Sequence, residues 1–298
     1  MNRKHPLTLT SLSLASMSAC ALDVDLSKYT LSARYALPEP TRTGPPVNNL
    51  LAQEASAVTW NRDTNTLFIV GDGSTAIVQV SLTGALINTM TLAQDPTKPQ
   101  GTAYYDTEGL TYLGNGQFVI VEERDRVVSR FTYTAGTTLA YADSQHIKLG
   151  TTVGNIGIEG ISYDPLTGGI LAVKEKTPAG VFSTTLNFAA GTASNGSATT
   201  VNSTNLFDPT LAGLLDFAEV FALSALGNIN VADQQHEGLT MDEAGNLYTV
   251  AENGGGDINH PELWIYTSAA AVPEAQTSAM LLAGLGLLTV AARRRAFF

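Results

Sequence analysis

Asp106-Thr107-Glu108-Gly109-Leu110-Thr111-Tyr112 is a phrase that the chain repeats. It returns as Gly157-Ile158-Glu159-Gly160-Ile161-Ser162-Tyr163 and as Gln235-His236-Glu237-Gly238-Leu239-Thr240-Met241. A looser copy stands earlier, at Glu54-Ala55-Ser56-Ala57-Val58-Thr59-Trp60. After every copy come a turn and a short apolar run, at 66–70, 117–121, 170–173 and 247–250. The turns, at 61–65, 114–116, 164–169 and 242–246, are rich in Gly, Asn and Asp. Each unit therefore reads as strand, tight hairpin, strand. A further strand is expected at 76–82, at 127–133 and at 262–266. The run Asn61-Arg62-Asp63-Thr64-Asn65 imitates the start of a calcium-binding loop but lacks its Gly and terminal Glu, so a hairpin turn is expected there.

The spacing sets the architecture. Ser56 to Glu108 is 52 residues and Glu108 to Glu159 is 51, the length of a four-stranded propeller blade. Glu159 to Glu237 is 78, too long for one unit and too short for two. That interval holds a Gly/Ser/Thr/Asn-rich stretch (191–205), read as an extended outer loop, and the apolar run 214–222, read as a degenerate blade. No amphipathic helix of useful length occurs over 27–267. The expectation is an all-β chain: a single β-propeller of five or six blades over 27–267, one of them degenerate.

Superposing the copies yields two ranks of acids. Glu108, Glu159 and Glu237, with Ser56, open the first strand; Asp72, Glu122, Glu175 and Glu252 close the second. In a propeller the innermost strand lines the channel. The first rank is then expected to converge near one mouth. Carboxylates sharing a site repel unless a cation or a proton intervenes, and hard oxygen donors suit Ca2+. The same spacing also suits pure architecture, with the acid capping backbone N–H groups and Gly relieving crowding near the axis. The second rank, with Arg124 and Lys174, is expected to rim a ligand pocket whose cations meet an anionic group. The interleaved charges of 122–126 and 174–176 read equally well as salt-bridged loop surface.

Composition removes several classes of function. A formal net charge of -11 offers nothing to meet nucleic-acid phosphates. The single cysteine, Cys20, excludes an internal disulfide. There is no G-x-S-x-G elbow, no H-E-x-x-H and no Cys-based zinc spacing. Were the chain an enzyme, a metal-dependent hydrolase with Glu237 and His236 moving protons would be the form; His146 and His260 sit in loop contexts. Carboxylates with little other proton-moving equipment favour binding over catalysis.

Both ends read as addresses. Arg3 and Lys4, a run rich in Ser, Thr and Leu, and Ala19-Cys20-Ala21 form an export signal over 1–21, in which Cys20 is either removed or lipidated. Val272-Pro273-Glu274 precede an apolar stretch at 279–292 closed by Arg293-Arg294-Arg295. That stretch is shorter than the roughly 20 residues that span a bilayer comfortably, and the arginines are expected to stay cytoplasmic. The block at 272–298 resembles the PEP-CTERM sorting signal of Gram-negative bacteria. The resemblance implies an exosortase as processing partner and contact with the inner membrane. It places the chain in the cell envelope, anchored or surface-released after sorting.

Within the core, the segments 57–68, 76–78, 115–125, 158–163 with 174–176, and 237–252 resemble, in order, the SdiA-regulated (YjiK/CarP) family of bacterial β-propellers. The resemblance implies an envelope propeller, and one branch of the family is tied to calcium homeostasis and is phytase-like in fold. The expected function is thus an exported, envelope-tethered module that binds Ca2+ through channel-facing glutamates. Alternatives are a metal-dependent phytase-like phosphoesterase or lactonase-like hydrolase, and a structural propeller that binds exopolysaccharide or protein. The chain departs from the family at 216–233, which is too short for the penultimate blade.

Overall fold

The computed structural model describes residues 26–38, 51–208, 236–251 and 261–268. Within them the chain is all-β apart from two single 3-10 turns, Leu26–Lys28 and Tyr141–Asp143. Strand β1 (Tyr29–Ala36) comes first and joins a blade only at the far end of the chain. The first blade runs β2 (Ala55–Asn61), β3 (Thr66–Gly71), β4 (Ala76–Val80) and β5 (Leu86–Leu92). The second holds β6 (Thr107–Gly114), β7 (Gln117–Glu122) and β8 (Val127–Thr132). Short β9 (Thr138–Leu139) crosses back to pair in parallel with β5, and β10 (Gln145–Lys148) completes the second blade. The third is β11 (Ile158–Asp164), β12 (Gly169–Lys174) and β13 (Gly180–Thr184), followed by the small hairpin β14 (Leu186–Asn187) and β15 (Thr192–Ala193). The fourth is β16 (His236–Met241), β17 (Leu247–Ala251) and β18 (Glu262–Ser268), with β1 antiparallel to β18.

The fold is the expected propeller, and four blades stand among the described residues. The degenerate blade expected at 214–222 lies outside them, so a count of five or six is not reached here. The strands quoted from sequence recur within a residue or two. Part of the expected outer loop is ordered structure instead, since Thr192–Ala193 pairs with Leu186–Asn187. The run at 61–65 is the hairpin turn expected, with Asn61 Oδ1 accepting from the N–H groups of Asp63 (2.9 Å) and Thr64 (3.3 Å).

The middle strands are apolar at consecutive positions because both of their faces are covered. On β3, Leu67 and Ile69 pack with Tyr248, Val250 and Leu263 of the fourth blade. Phe68 and Val70 point the other way, onto Phe118 and Ile120 of β7. On β7 the neighbours Val119 and Val121 face Ile161, Ile170 and Phe182 of the third blade. Aromatic rings fill the seam between the first and second blades, Phe68 lying 4.6 Å from Phe118 and 4.7 Å from Tyr133 between centroids.

Two positions of the repeated phrase serve the contacts between blades. Thr240 Oγ1 accepts from the Trp60 N–H (3.1 Å), Thr59 Oγ1 from Tyr112 (3.2 Å) and Thr111 Oγ1 from Tyr163 (2.9 Å), so each threonine clips the next blade's inner strand. Glycine follows from the closeness of those strands. A Cβ on Gly238 would sit 2.5 Å from the Val58 nitrogen, and one on Gly109 2.9 Å from the Ile161 side chain. The architectural reading of Gly is therefore correct.

Candidate metal centre

In all four blades the ladder slips at the same point: between Ala55 and Ala57, Thr107 and Gly109, Ile158 and Gly160, and His236 and Gly238. The slipped residues are Ser56, Glu108, Glu159 and Glu237. A bulge leaves its extra residue unpaired and re-aims the side chain. The first rank is thus a set of bulge residues at one end of the inner strands.

The cross-hairpin register revises the second rank. Ala55 pairs with Gly71, Thr107 with Glu122, Ile158 with Lys174, and His236 with Ala251. The residue after each partner is Asp72, Glu123, Glu175 or Glu252. Glu122, given this place by residue counting, is one position early and Glu123 takes it. The hairpins differ in length, so counting cannot choose between two adjacent acids, whereas the ladder does. Glu122 instead turns into the interior, where it accepts from the Tyr105 N–H (3.1 Å) and burial pushes its carboxyl up to about 7. Glu252, and the sorting residues Val272, Pro273, Glu274, Arg293, Arg294 and Arg295, lie outside the described residues.

An antiparallel hairpin begins and ends on the same side, so the two ranks are neighbours at one mouth. They interleave across the seams between blades. Asp72 of the first blade meets Asp106 and Glu108 of the second, and Glu123 of the second meets Glu159 and Glu175 of the third. In each triad, one carboxylate oxygen per residue lies within 4.8 Å of the others. Glu108 also feels the charge of Glu237, and Glu159 that of Glu108. The expected trio Glu108, Glu159 and Glu237 therefore gathers at one mouth, but among the described residues each tight set pairs one of these acids with acids of the second rank.

Sequence reading missed two members. Glu123 carried no signal beyond its acidic neighbour. Asp106 opens only one copy of the phrase, and its left-handed backbone (φ 61°) is a conformation uncommon outside glycine.

Electrostatically the centre is strained. Burial holds Asp72, Asp106, Glu108 and Glu159 above the ordinary carboxylate range, followed by the charge of neighbouring acids at Asp72, Glu108 and Glu159 and by a hydrogen bond with Glu123 at Asp106. Partial compensation comes from Gln100 Nε2 donating to Asp72 (2.6 Å) and Arg124 Nε to Asp106 Oδ2 (2.5 Å). The Gly157 N–H donates to Glu123 (2.7 Å), and Lys176 pairs with Glu175. Arg124, expected to meet a ligand, is wall instead: its Nη2 is held by Asn155 Oδ1 at 2.5 Å. Lys174, its expected companion, is 5% exposed and donates to the Lys176 and Pro178 carbonyls. Asp106 Oδ1 and Glu175 Oε2 remain, buried with no hydrogen-bond partner among the described residues.

This donor set fits a hard divalent cation. Ca–O bonds of about 2.3–2.6 Å place ligand oxygens up to about 5 Å apart, which matches both triads, and every donor is oxygen. A zinc site would call for imidazole or thiolate. His146 is no ligand here: it lies on β10, with Nδ1 2.7 Å from Ser129 Oγ and Nε2 2.9 Å from the Tyr141 carbonyl. His236 begins β16, but its side chain and all of His260 lie outside the described residues.

A model of the SdiA-regulated family matches residues 44–226, and a model of the PEP-CTERM protein-sorting motif matches 271–295. Among solved structures, virginiamycin B lyase from Staphylococcus aureus is similar at 13% identity and a TM-score of 0.32, the match covering 72% of this chain and 51% of the lyase chain. The nidogen/laminin complex is similar at 13% identity and 0.36, covering 73% and 69%. A luciferin-regenerating enzyme is similar at 14% and 0.37, covering 68% and 70%.

Proposed function

The chain belongs to the SdiA-regulated family, and from that premise we propose that it is an exported, envelope-tethered β-propeller that binds Ca2+ at the mouth of its channel. The reading rests on the two triads, Asp72–Asp106–Glu108 and Glu123–Glu159–Glu175, each with one fully buried acid (Asp106, Glu123) among half-buried ones, and on an Asp106 oxygen without a hydrogen-bond partner among the described residues. A bound divalent ion neutralises the mutual repulsion of these acids and takes the unpaired oxygen as a ligand. Glu237, from the fourth blade, adds negative charge that reaches Glu108. The sorting motif implies exosortase-type processing of an exported chain at the membrane. Calcium handling, or calcium-dependent contact with surface polysaccharide or protein, is the role that suits this location.

Calorimetric titration of Ca2+ into the chelator-stripped protein tests the reading. Saturable binding is expected in the parent, weakened at least about tenfold by Glu108→Gln and by Glu159→Gln, since each removes one charged ligand. No binding in the parent, or unchanged binding in both variants, would sink it. The same protein, given Ca2+ with a panel of phosphate esters and lactones, is expected to show no turnover. Sustained turnover lost in Glu108→Gln would replace binding by metal-dependent hydrolysis.

A further inference from the structure

Two cations reach into the mouth, one for each triad. Arg124 follows β7, and its Nε donates to Asp106 Oδ2 at 2.5 Å, with Glu123 Oε2 of the other triad 4.0 Å away. Lys176 follows β12 and pairs with Glu175 Oε1. Each stands one residue after the second-rank acid of its blade, Glu123 or Glu175, where the first blade has Gly73. In both triads the cation holds one oxygen of a carboxylate whose other oxygen is buried. Those other oxygens, Asp106 Oδ1 and Glu175 Oε2, have no hydrogen-bond partner among the described residues. Two blades thus build the same arrangement from different residues, Arg on Asp in one and Lys on Glu in the other.

Both ion pairs are of the kind that can be exchanged. The Arg124 side chain is 34% exposed and that of Lys176 42%, whereas Asp106 is buried. A pair with so open a cation holds weakly, so the cation can withdraw outward while the acid stays in place. Arg124 keeps two contacts that do not involve the acids: Nη2 donates to Asn155 Oδ1 at 2.5 Å, and Cζ lies 5.5 Å over the Tyr105 ring. The backbone of Lys176 is fixed by the Lys174 ammonium, which donates to its carbonyl at 2.5 Å, so the side chain can swing while the turn stays. A divalent ion on the unpaired oxygen would share its carboxylate with the cation on the other one. Two positive groups a few ångströms apart repel, and the tethered one has a stem long enough to retreat to solvent.

We propose that Arg124 and Lys176 are tethered counter-cations that stand in for the divalent ion in the metal-free protein and are displaced when it binds. The proposal rests on the calcium reading and deepens it: affinity is set by competition with the protein's own side chains as well as by the ligands. Removing either cation then tightens binding, the opposite of removing a ligand.

Calorimetric titration of Ca2+ into the chelator-stripped exported chain, at fixed pH and ionic strength, compares the parent with Arg124→Gln, Lys176→Gln and Lys98→Gln. Lys98 controls for the general field of a lost positive charge, since it is 33% exposed and pairs at 3.6 Å with Asp125, outside both triads. Arg124→Gln and Lys176→Gln are expected to bind at least about threefold tighter than the parent, and Lys98→Gln within about twofold of it. Unfolding temperature adds a readout that a merely structural role would not give. Each of the first two variants is expected to melt below the parent in chelator and no lower than the parent at saturating Ca2+. A variant that binds no tighter than Lys98→Gln, or that melts below the parent in both conditions, strikes its cation from the proposal. Failure of both cations overturns the proposal and leaves the calcium reading intact, whereas absence of saturable binding in the parent overturns the two together. Should Arg124→Gln not fold, Lys176→Gln, altered at the more exposed side chain, decides alone.

Discussion

Glu108 occupies a β-bulge, and the bulge turns its carboxylate toward the mouth instead of along the sheet. Three residues on, Thr111 faces the neighbouring blade and takes the Tyr163 N–H at 2.9 Å. Gly109 between them has no room for a side chain. One phrase therefore carries a mouth-facing acid, proposed as a ligand, a close approach and a clip, which is why it recurs as a block. The ligand and the clip should separate on mutation. Thr111→Val leaves the Tyr163 N–H without its acceptor and is expected to cost about 1–3 kcal/mol. That is a fall of several degrees in Tm by scanning calorimetry, with Ca2+ affinity unchanged. A matching loss of affinity would show that the clip also shapes the site. At this scale the sequence was legible as far as the phrase. Asp106 and Glu123 escaped it, because the first stands at a position that is acidic only in its own copy and, as Glu54, in the looser one, and the second is separated from Glu122 only by strand register.

At the scale of elements, β3 and β7 could be read directly, since a strand packed on both faces has no polar positions to blur the run. β1 could not. Its exposure pattern is open at most positions, so the sequence carries no alternation to mark it. What fixes it is backbone pairing with β18 at the other end of the chain, together with Arg34, which pairs with Glu262 at 2.5 Å and lies 4.1 Å over the Trp264 ring. Closing the last blade with the first strand ties the ends of the propeller and covers an edge that would otherwise be free to pair with other chains. A chain lacking residues 29–36 is expected to lose sharp, cooperative denaturant unfolding and to form oligomers on size exclusion. Unfolding as sharp as the parent's, from a monomer, would show that β1 closes nothing essential.

For the molecule as a whole, the mouth stores like charge at its centre, and pH reads that out. Asp72, Asp106, Glu108 and Glu159 hold protons above the ordinary carboxylate range when folded. The stability linked to them is complete below the unfolded carboxylate values near pH 4 and is lost as pH rises through the folded values. Chelated protein is accordingly expected to lose Tm from about pH 4 upward, the share of Asp72 and Asp106 being spent once pH passes their folded values of about 6 while Glu108 and Glu159 go on lowering it beyond, and Ca2+ is expected to raise Tm more at pH 8 than at pH 5, because it displaces fewer protons there. A Tm flat with pH in chelator would contradict this electrostatic picture. The most direct measurement of the central claim is a crystal structure of the exported chain soaked in Ca2+. The expected result is an ion bonded at about 2.3–2.6 Å to carboxylate oxygens of at least one triad, with Asp106 Oδ1 or Glu175 Oε2 among them. Triads closed into proton-sharing carboxyl pairs, with no ion between them at saturating Ca2+, would contradict it.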